Sequence, residues 1–231
     1  MASGCPSRHG DSNLYQLLKY VQLLFRELIK DVAEYERWYG VTHPCPEYLS
    51  KAIFGLTELH KKELPNASIV ANPGCYSTAA ILALAPAIKE GLIRPDIIVD
   101  GKSGVSGAGR GMSLTTHFSE VNESVQAYSL QGHRHIPEMV QELRELVTYD
   151  SMDITFIPHL IPMTRGILNT CYAPLSSQFL ESGGDSKTHL LELYQDFYKN
   201  DPFVQVVDTP PATKHTLGNN MCIIHPTTDP R

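Results

Sequence analysis

The sequence has few cysteines, and no two of them form a CxxC pair. The five residues are widely separated, at Cys5, Cys45, Cys75, Cys171 and Cys222. An odd count at such spacing excludes a disulfide framework and a zinc knuckle. We therefore expect a reducing compartment, in which each cysteine is a thiol whose surroundings decide its chemistry.

Basic residues are also scarce relative to acidic ones. The 231-residue chain has 19 Lys and Arg against 25 Asp and Glu, a formal net charge of −6. Because nucleic-acid-binding proteins usually carry a basic excess, no nucleic-acid partner is expected. No uninterrupted apolar run has the length that spans a membrane, and the chain start lacks the charged-then-apolar order of a secretion signal. These absences favour a cytoplasmic protein with no membrane partner.

The apolar residues are spaced in the patterns of short strands and helices. An apolar stripe over residues 14–28 predicts an amphipathic helix. Further along the chain, the pattern predicts strands at 67–72, 96–101, 154–162, 166–175, 203–207 and 220–225, and helices at 79–88, 136–147 and 188–199. Since strands and helices do not alternate regularly, we predict an α+β fold with a mixed, largely antiparallel sheet and helices on one face.

Cys75 has the surroundings of a nucleophile. It follows a short predicted strand and the Pro73–Gly74 turn, and an apolar helix begins at or just after it. The unpaired N–H groups and the positive dipole end of a helix N-terminus stabilise a thiolate, so we expect a lowered pKa for Cys75. The alternative is a cysteine that packs as a small apolar side chain. That alternative suits Cys171 and Cys222, which lie in strand-like runs.

The segment GHRHIPE at 132–138 offers a proton-transfer partner for this thiol. His135 stands at a predicted helix start, and Glu138 follows three residues later on the same face. A carboxylate in that position would fix the tautomer of the imidazole. A capping cluster with a surface histidine and a metal site at His133 and His135 stay open as alternatives. No metal is expected, because no third ligand is evident.

The loop SGVSGAGR at 103–110 consists of small residues and ends in Arg110. A loop with many free backbone N–H groups can cradle a phosphate or a carboxylate. Its spacing is neither that of an ATP-binding loop nor that of a dinucleotide-binding fingerprint. Taken alone, the loop is therefore a weak indication of function.

Together these segments resemble the N-acetyl-γ-glutamyl-phosphate reductases, the arginine-biosynthesis branch of the semialdehyde dehydrogenase family. The matching stretches, in the order of that family, are KDVAEYERWYG, AIFGLTEL, IVANPGCYSTAAILALAPAI, GKSGVSGAGR, GHRHIPE, IPHLIPMTRGILNTCYA and TKHTLGNN. The combination of NPGCY, SGVSGAGR and HRHIPE is much more specific than any one of these motifs.

The resemblance implies an oxidoreductase that uses NADP(H) and a small acyl-phosphate substrate. The reaction would be reduction of N-acetyl-γ-glutamyl phosphate to N-acetylglutamate semialdehyde and phosphate, through a thioester on Cys75. His135 would act as the general acid and base, and Glu138 would orient it. Ser103 and Gly104 match positions that touch the nicotinamide half of the cofactor in that family.

Arg110 and Arg165 are candidates for binding the substrate anions, by their chemistry more than by motif. The resemblance also implies that residues 1–29 are a divergent segment and that residues 30–231 are a catalytic and dimerisation domain, truncated at its C-terminus. A homo-oligomer, either a dimer or a tetramer, is expected. The resemblance further implies that the N-terminal Rossmann domain, which binds the nucleotide in that family, is lacking here. The hydride donor would then be poorly positioned, so the chain alone should reduce its substrate poorly.

Two other functions compete with the reductase. The first is a dimerisation module that keeps the fold but has no turnover. The second is a cysteine acyltransferase or hydrolase that uses Cys75 and His135 without hydride transfer. The reductase requires affinity for NADP(H), whereas neither alternative does.

Overall fold

A computed structural model describes residues 28–147, 151–181 and 186–229. They form two compact units that divide between Gly74 and Cys75. The helix predicted over residues 14–28 lies, apart from Leu28, outside the described residues, and the predicted division after residue 29 stays a prediction. None of the helices in the described ranges combines the length and the apolar character needed to span a membrane.

The first unit contains a two-stranded parallel sheet of β1 (Ala52–Phe54) and β2 (Ile69–Ala71). Helix α1 (Val32–Tyr39) precedes it and is capped by Asp31, whose carboxylate accepts a hydrogen bond from the Ala33 N–H at 2.7 Å. Helix α2 (Thr57–His60) follows β1 in the chain and precedes β2. Strand β2 confirms the strand predicted over residues 67–72.

The second unit consists of a mixed four-stranded sheet, a small two-stranded parallel sheet and the helices that accompany them. Its elements are α3 (Cys75–Lys89), β3 (Asp96–Ser103), α4 (Phe118–Val121), β4 (Gln126–Ala127), α5 (His135–Arg144), β5 (Asp153–Leu160), β6 (Ile167–Tyr172), α6 (Ser177–Glu181), α7 (Ser186–Phe197), β7 (Val204–Val206) and β8 (Cys222–Ile224). All helices and strands predicted for this part of the chain occur, with their ends displaced by a few residues at most.

The four-stranded sheet has the strand order β4–β5–β3–β6. Strands β3 and β5 are parallel over eight paired positions, while β3–β6 and β4–β5 are antiparallel. The predicted α+β fold with a mixed sheet is therefore confirmed, but this sheet is not largely antiparallel, because its antiparallel pairings cover six and two positions against eight parallel ones. Strands β5 and β6 are joined by a short loop, yet they lie on opposite sides of β3 and do not pair with each other.

Alternate residues of β3 are buried and exposed, as expected for a strand with one covered face. Val99 and Gly101 are buried, whereas Ile98 is 47% exposed. A Cβ atom at Gly101 would lie 2.6 Å from a ring carbon of Tyr76 and 2.9 Å from one of Phe156. Gly101 thus leaves the space on the sheet in which the Tyr76 ring lies.

Pro86 lies inside α3, and its position affects a backbone carbonyl one turn earlier. Proline has no N–H, so the Leu82 carbonyl lacks the usual i→i−4 hydrogen bond. Tyr198, just after α7, donates its hydroxyl to this carbonyl at 2.7 Å, and Tyr194 donates to the Ala83 carbonyl at 2.8 Å. The two phenols therefore donate to carbonyls in the turn before Pro86 and hold α7 against α3.

Candidate active site

Helix α3 begins at Cys75, as the sequence predicts. Cys75 is exposed, whereas Cys45 is buried and Cys171 and Cys222 are partly buried. Burial raises the pKa of the Cys171 thiol to about 12, so this residue is a protonated thiol at neutral pH. Among the described cysteines, Cys75 alone combines exposure with a helix N-terminus. The expected lowering of its own pKa stays a prediction.

The Tyr76 ring is buried directly beside Cys75, among other aromatic groups. Its hydroxyl donates to the His159 carbonyl at 3.2 Å and accepts from the Tyr128 hydroxyl at 3.4 Å. Burial raises the pKa of both phenols, and the charge of Cys75 adds to the increase in each. Tyr76 and Tyr128 therefore remain protonated donors at neutral pH, within the electrostatic field of the cysteine.

The two histidines of GHRHIPE lie against Tyr76. The ring centroids of His133 and His135 are each 6.1 Å from that of Tyr76 and 4.5 Å from each other. Helix α5 begins at His135, which is 7% exposed and whose backbone N–H donates to His133 Nδ1 at 3.1 Å. The helix start that carries the predicted base thus adjoins the helix start that carries the predicted nucleophile.

Glu138 is fully buried one turn into α5. Its carboxylate accepts a hydrogen bond from Ser77 Oγ at 2.6 Å, and the same hydroxyl lies 3.4 Å from the His135 carbonyl oxygen. Because Ser77 belongs to the first turn of α3, this bond joins the two helix starts. The predicted orientation of the His135 ring by Glu138 stays a prediction.

Ser103 is the last residue of β3 and is 3% exposed. Its hydroxyl donates to the Gly104 carbonyl at 2.9 Å. A Cβ at Gly104 would lie 2.7 Å from the Arg165 backbone nitrogen, so two loops meet here at a distance that a side chain would prevent. The predicted contact of Ser103 and Gly104 with a nicotinamide stays a prediction.

The expectation of many free N–H groups in the glycine-rich loop is wrong. The Gly104, Val105 and Ser106 N–H groups donate, each at 3.0 Å, to the carbonyls of residues 166, 163 and 164. Gly107 and Gly109 donate to carbonyls within the loop itself. These N–H groups are already bonded to backbone, so they hold two loops together and do not form an anion cradle.

The two arginines predicted to bind anions, Arg110 and Arg165, are both exposed in these two loops. Arg110 ends the glycine-rich loop, and Arg165 lies in the 161–166 loop that accepts its hydrogen bonds. Within the described ranges, no carboxylate is in salt-bridge contact with either guanidinium. Both charges are therefore available to an anionic ligand.

Four residues of the site were not predicted from the sequence. Tyr76 and Ser77 follow Cys75 directly, and their polar groups in an otherwise apolar helix were a usable signal. Tyr128 gave no signal, since its position depends on where the short strand β4 pairs. Asn169 of β6, which donates to the Tyr76 carbonyl at 3.0 Å, is positioned by the sheet in the same way.

Comparisons with known proteins agree with this description. A family profile described as "Semialdehyde dehydrogenase, dimerisation domain" matches residues 75–231, and its first residue coincides with the start of the second unit. An N-acetyl-gamma-glutamyl-phosphate reductase of Dehalococcoides mccartyi (strain CBDB1) is 49% identical over 201 residues, which are 87% of this chain and 57% of the relative. The reductase of Pelotomaculum thermopropionicum is 48% identical over 206 residues, 88% of this chain and 57% of the relative. The chain thus spans a little more than half the length of these curated relatives.

Solved structures show the same fold at low sequence identity. Aspartate semialdehyde dehydrogenase II from Vibrio cholerae has a TM-score of 0.53 at 16% identity, over 76% of this chain and 58% of that one. The aspartate semialdehyde dehydrogenase from Francisella tularensis gives 0.53 at 14% identity, over 76% and 61%. The matching profile covers more than half of the sequence, and the chain therefore belongs to the semialdehyde dehydrogenase family through its dimerisation domain.

Proposed function

We propose that this chain contributes the catalytic cysteine to the NADPH-dependent reduction of N-acetyl-γ-glutamyl phosphate in arginine biosynthesis. The observation that supports this most is the exposed Cys75 at the start of α3, with the start of α5 beside it. Relatives of 48–49% identity are named N-acetyl-gamma-glutamyl-phosphate reductase. This name favours N-acetyl-γ-glutamyl phosphate as the substrate over aspartyl phosphate.

In the proposed reaction the Cys75 thiolate attacks the acyl carbon of the substrate. The bond from this carbon to the phosphate oxygen breaks, inorganic phosphate leaves, and an N-acetylglutamyl thioester forms on Sγ. The positive end of α3 stabilises the negative charge on sulfur before the attack. His135 accepts the thiol proton and returns it to the Cys75 sulfur when the aldehyde leaves, with Glu138 as its orienting carboxylate.

NADP(H), when bound, supplies the hydride that converts the thioester to the aldehyde. The chain's own proposed contacts with its nicotinamide half are Ser103, at the end of β3, and the adjoining Gly104. Arg110 and Arg165 are the proposed contacts of the substrate carboxylate and phosphate, because an exposed guanidinium can bind either anion bidentately.

The half-reaction tests this proposal without any nucleotide. The purified 231-residue chain is mixed with N-acetyl-γ-glutamyl phosphate, and inorganic phosphate is measured against the number of chains. We expect about one phosphate per chain, in a burst that Cys75→Ser abolishes and the matched control Cys171→Ser retains. No burst would contradict the proposal. Continuous phosphate release that depends on Cys75 would favour the hydrolase instead.

We also propose that the second unit pairs with a second copy of itself through the uncovered face of its sheet. The partners Ile98 and Tyr172 lie side by side there and are 47% and 56% exposed. Neighbouring exposed apolar side chains of this size mark interaction surfaces. Asp100 on the same face is salt-bridged to Lys102, and its Oδ1 lies 3.2 Å from His159 Nδ1. The family description of a dimerisation domain supports the same partner.

A further inference from the structure

Two polar side chains are completely buried between the starts of α3 and α5. Ser77 and Glu138 are each 0% exposed, and Ser77 Oγ donates to Glu138 Oε2 at 2.6 Å. A buried hydroxyl or carboxyl group is costly unless it is hydrogen-bonded. This pair is therefore a firm connection between the two helices.

The hydroxyl of Ser77 does not serve its own helix. Serine in a helix often bonds to a backbone carbonyl of the preceding turn, whereas Ser77 is in the first turn of α3 and points to α5. There it reaches the Glu138 carboxylate and lies 3.4 Å from the His135 carbonyl. Its two acceptors thus belong to the helix turn that carries the proposed base.

We propose that Ser77 is a positioning residue that, through Glu138, sets the separation between Cys75 and His135. The proposal rests on the proposed function of these two groups. Cys75 and Ser77 share one helix turn, and His135 and Glu138 share another, so the 2.6 Å bond fixes the two turns next to the reacting groups. Proton transfer needs heavy atoms within about 3 Å, and small displacements reduce its rate strongly.

The rate of Cys75 alkylation by iodoacetamide, followed by mass spectrometry in the 231-residue chain, tests this role. We expect Ser77→Ala to slow alkylation about tenfold at neutral pH, the change that follows when the apparent thiol pKa rises by one unit. Ser176→Ala is the matched control, because its Oγ accepts the Phe179 N–H at 3.2 Å at the start of α6. The control should react at the wild-type rate.

A double-mutant cycle with His135→Asn separates positioning from general destabilisation. If Ser77 acts through His135, the double variant reacts no more slowly than His135→Asn alone. Independent slowing by the two substitutions, or a wild-type rate for Ser77→Ala, would overturn the proposal.

A second pair of variants keeps the test decisive where the alanine variant does not fold. Ser77→Thr and Ser77→Val have nearly the same shape, and only threonine keeps the donor. We expect the threonine variant to react several-fold faster than the valine variant; equal rates would overturn the role of the hydroxyl. The proposed function itself fails in a different way, when wild-type Cys75 reacts no faster than Cys222 or when His135→Asn has no effect.

Discussion

Substitution of Gly101 by alanine should perturb the candidate site, because the added Cβ displaces the ring of Tyr76, which follows Cys75 in the chain. The added Cβ would lie 2.6 Å from a Tyr76 ring carbon, where ordinary contact begins at 3.4 Å. The Tyr76 ring must therefore move by about 0.8 Å to restore normal contact. The same Cβ would lie 2.9 Å from a ring carbon of Phe156, so this ring must also move.

The expected cost follows from overpacking in a filled core. An added methyl group that displaces buried side chains costs about 1–3 kcal/mol, which corresponds to a fall in Tm of about 2–12 °C for a chain of this length. Tyr76 is next to Cys75 in α3, and its hydroxyl bonds to Tyr128. We therefore expect the alkylation rate of Cys75 to change together with the stability.

Thermal unfolding by circular dichroism and alkylation of Cys75 measure the two effects. Gly111→Ala is the matched control, because a Cβ at Gly111 meets nothing within 4 Å. The control should leave Tm and the alkylation rate unchanged. If Gly101→Ala has the Tm and the Cys75 reactivity of the control, the described packing of Tyr76 on β3 is refuted.

Three further predictions concern the rest of the second unit. Tyr198→Phe removes the donor to the Leu82 carbonyl and should cost about 1–3 kcal/mol in urea unfolding; a cost under about 0.3 kcal/mol would contradict that bond. Burial raises the pKa of Cys171 to about 12 in the folded chain, whereas the unfolded thiol ionises near pH 9. The free energy of unfolding should therefore fall as the pH rises above about 9, and it should fall less steeply in Cys171→Ala. A pH-independent stability from 9 to 11 would count against it. Ile98→Asp should dissociate the proposed dimer in sedimentation equilibrium, whereas Phe203→Asp, at a 54% exposed residue just before β7, should not. A dimer that survives Ile98→Asp would remove this face from the interface.

The parts of the site that depend on local sequence signals were predictable. Pro73 and Gly74 indicated a helix start at or just after Cys75, where α3 begins. Pro137 indicated the start of α5, which begins at His135. Both signals act within a few residues, because proline and glycine restrict or permit backbone angles where they stand. The two helix starts were therefore placed correctly from sequence.

The rest of the site depends on contacts between distant segments. Ser77 and Glu138 are 61 residues apart, and Tyr76 and His159 are 83 apart. Their contacts require the strand order β4–β5–β3–β6, which no local pattern encodes. The N–H groups of the glycine-rich loop were wrongly expected to be free, because the acceptors of Gly104, Val105 and Ser106 lie in the distant loop after β5.

The location of the acyl group after the half-reaction tests the central claim most directly. The chain is incubated with N-acetyl-γ-glutamyl phosphate, quenched in acid and digested, and the peptides are sequenced by tandem mass spectrometry. The account predicts one N-acetylglutamyl group, on the peptide that begins the α3 helix and at Cys75 itself. An unmodified Cys75, or equal modification of Cys45, Cys171 and Cys222, would contradict it.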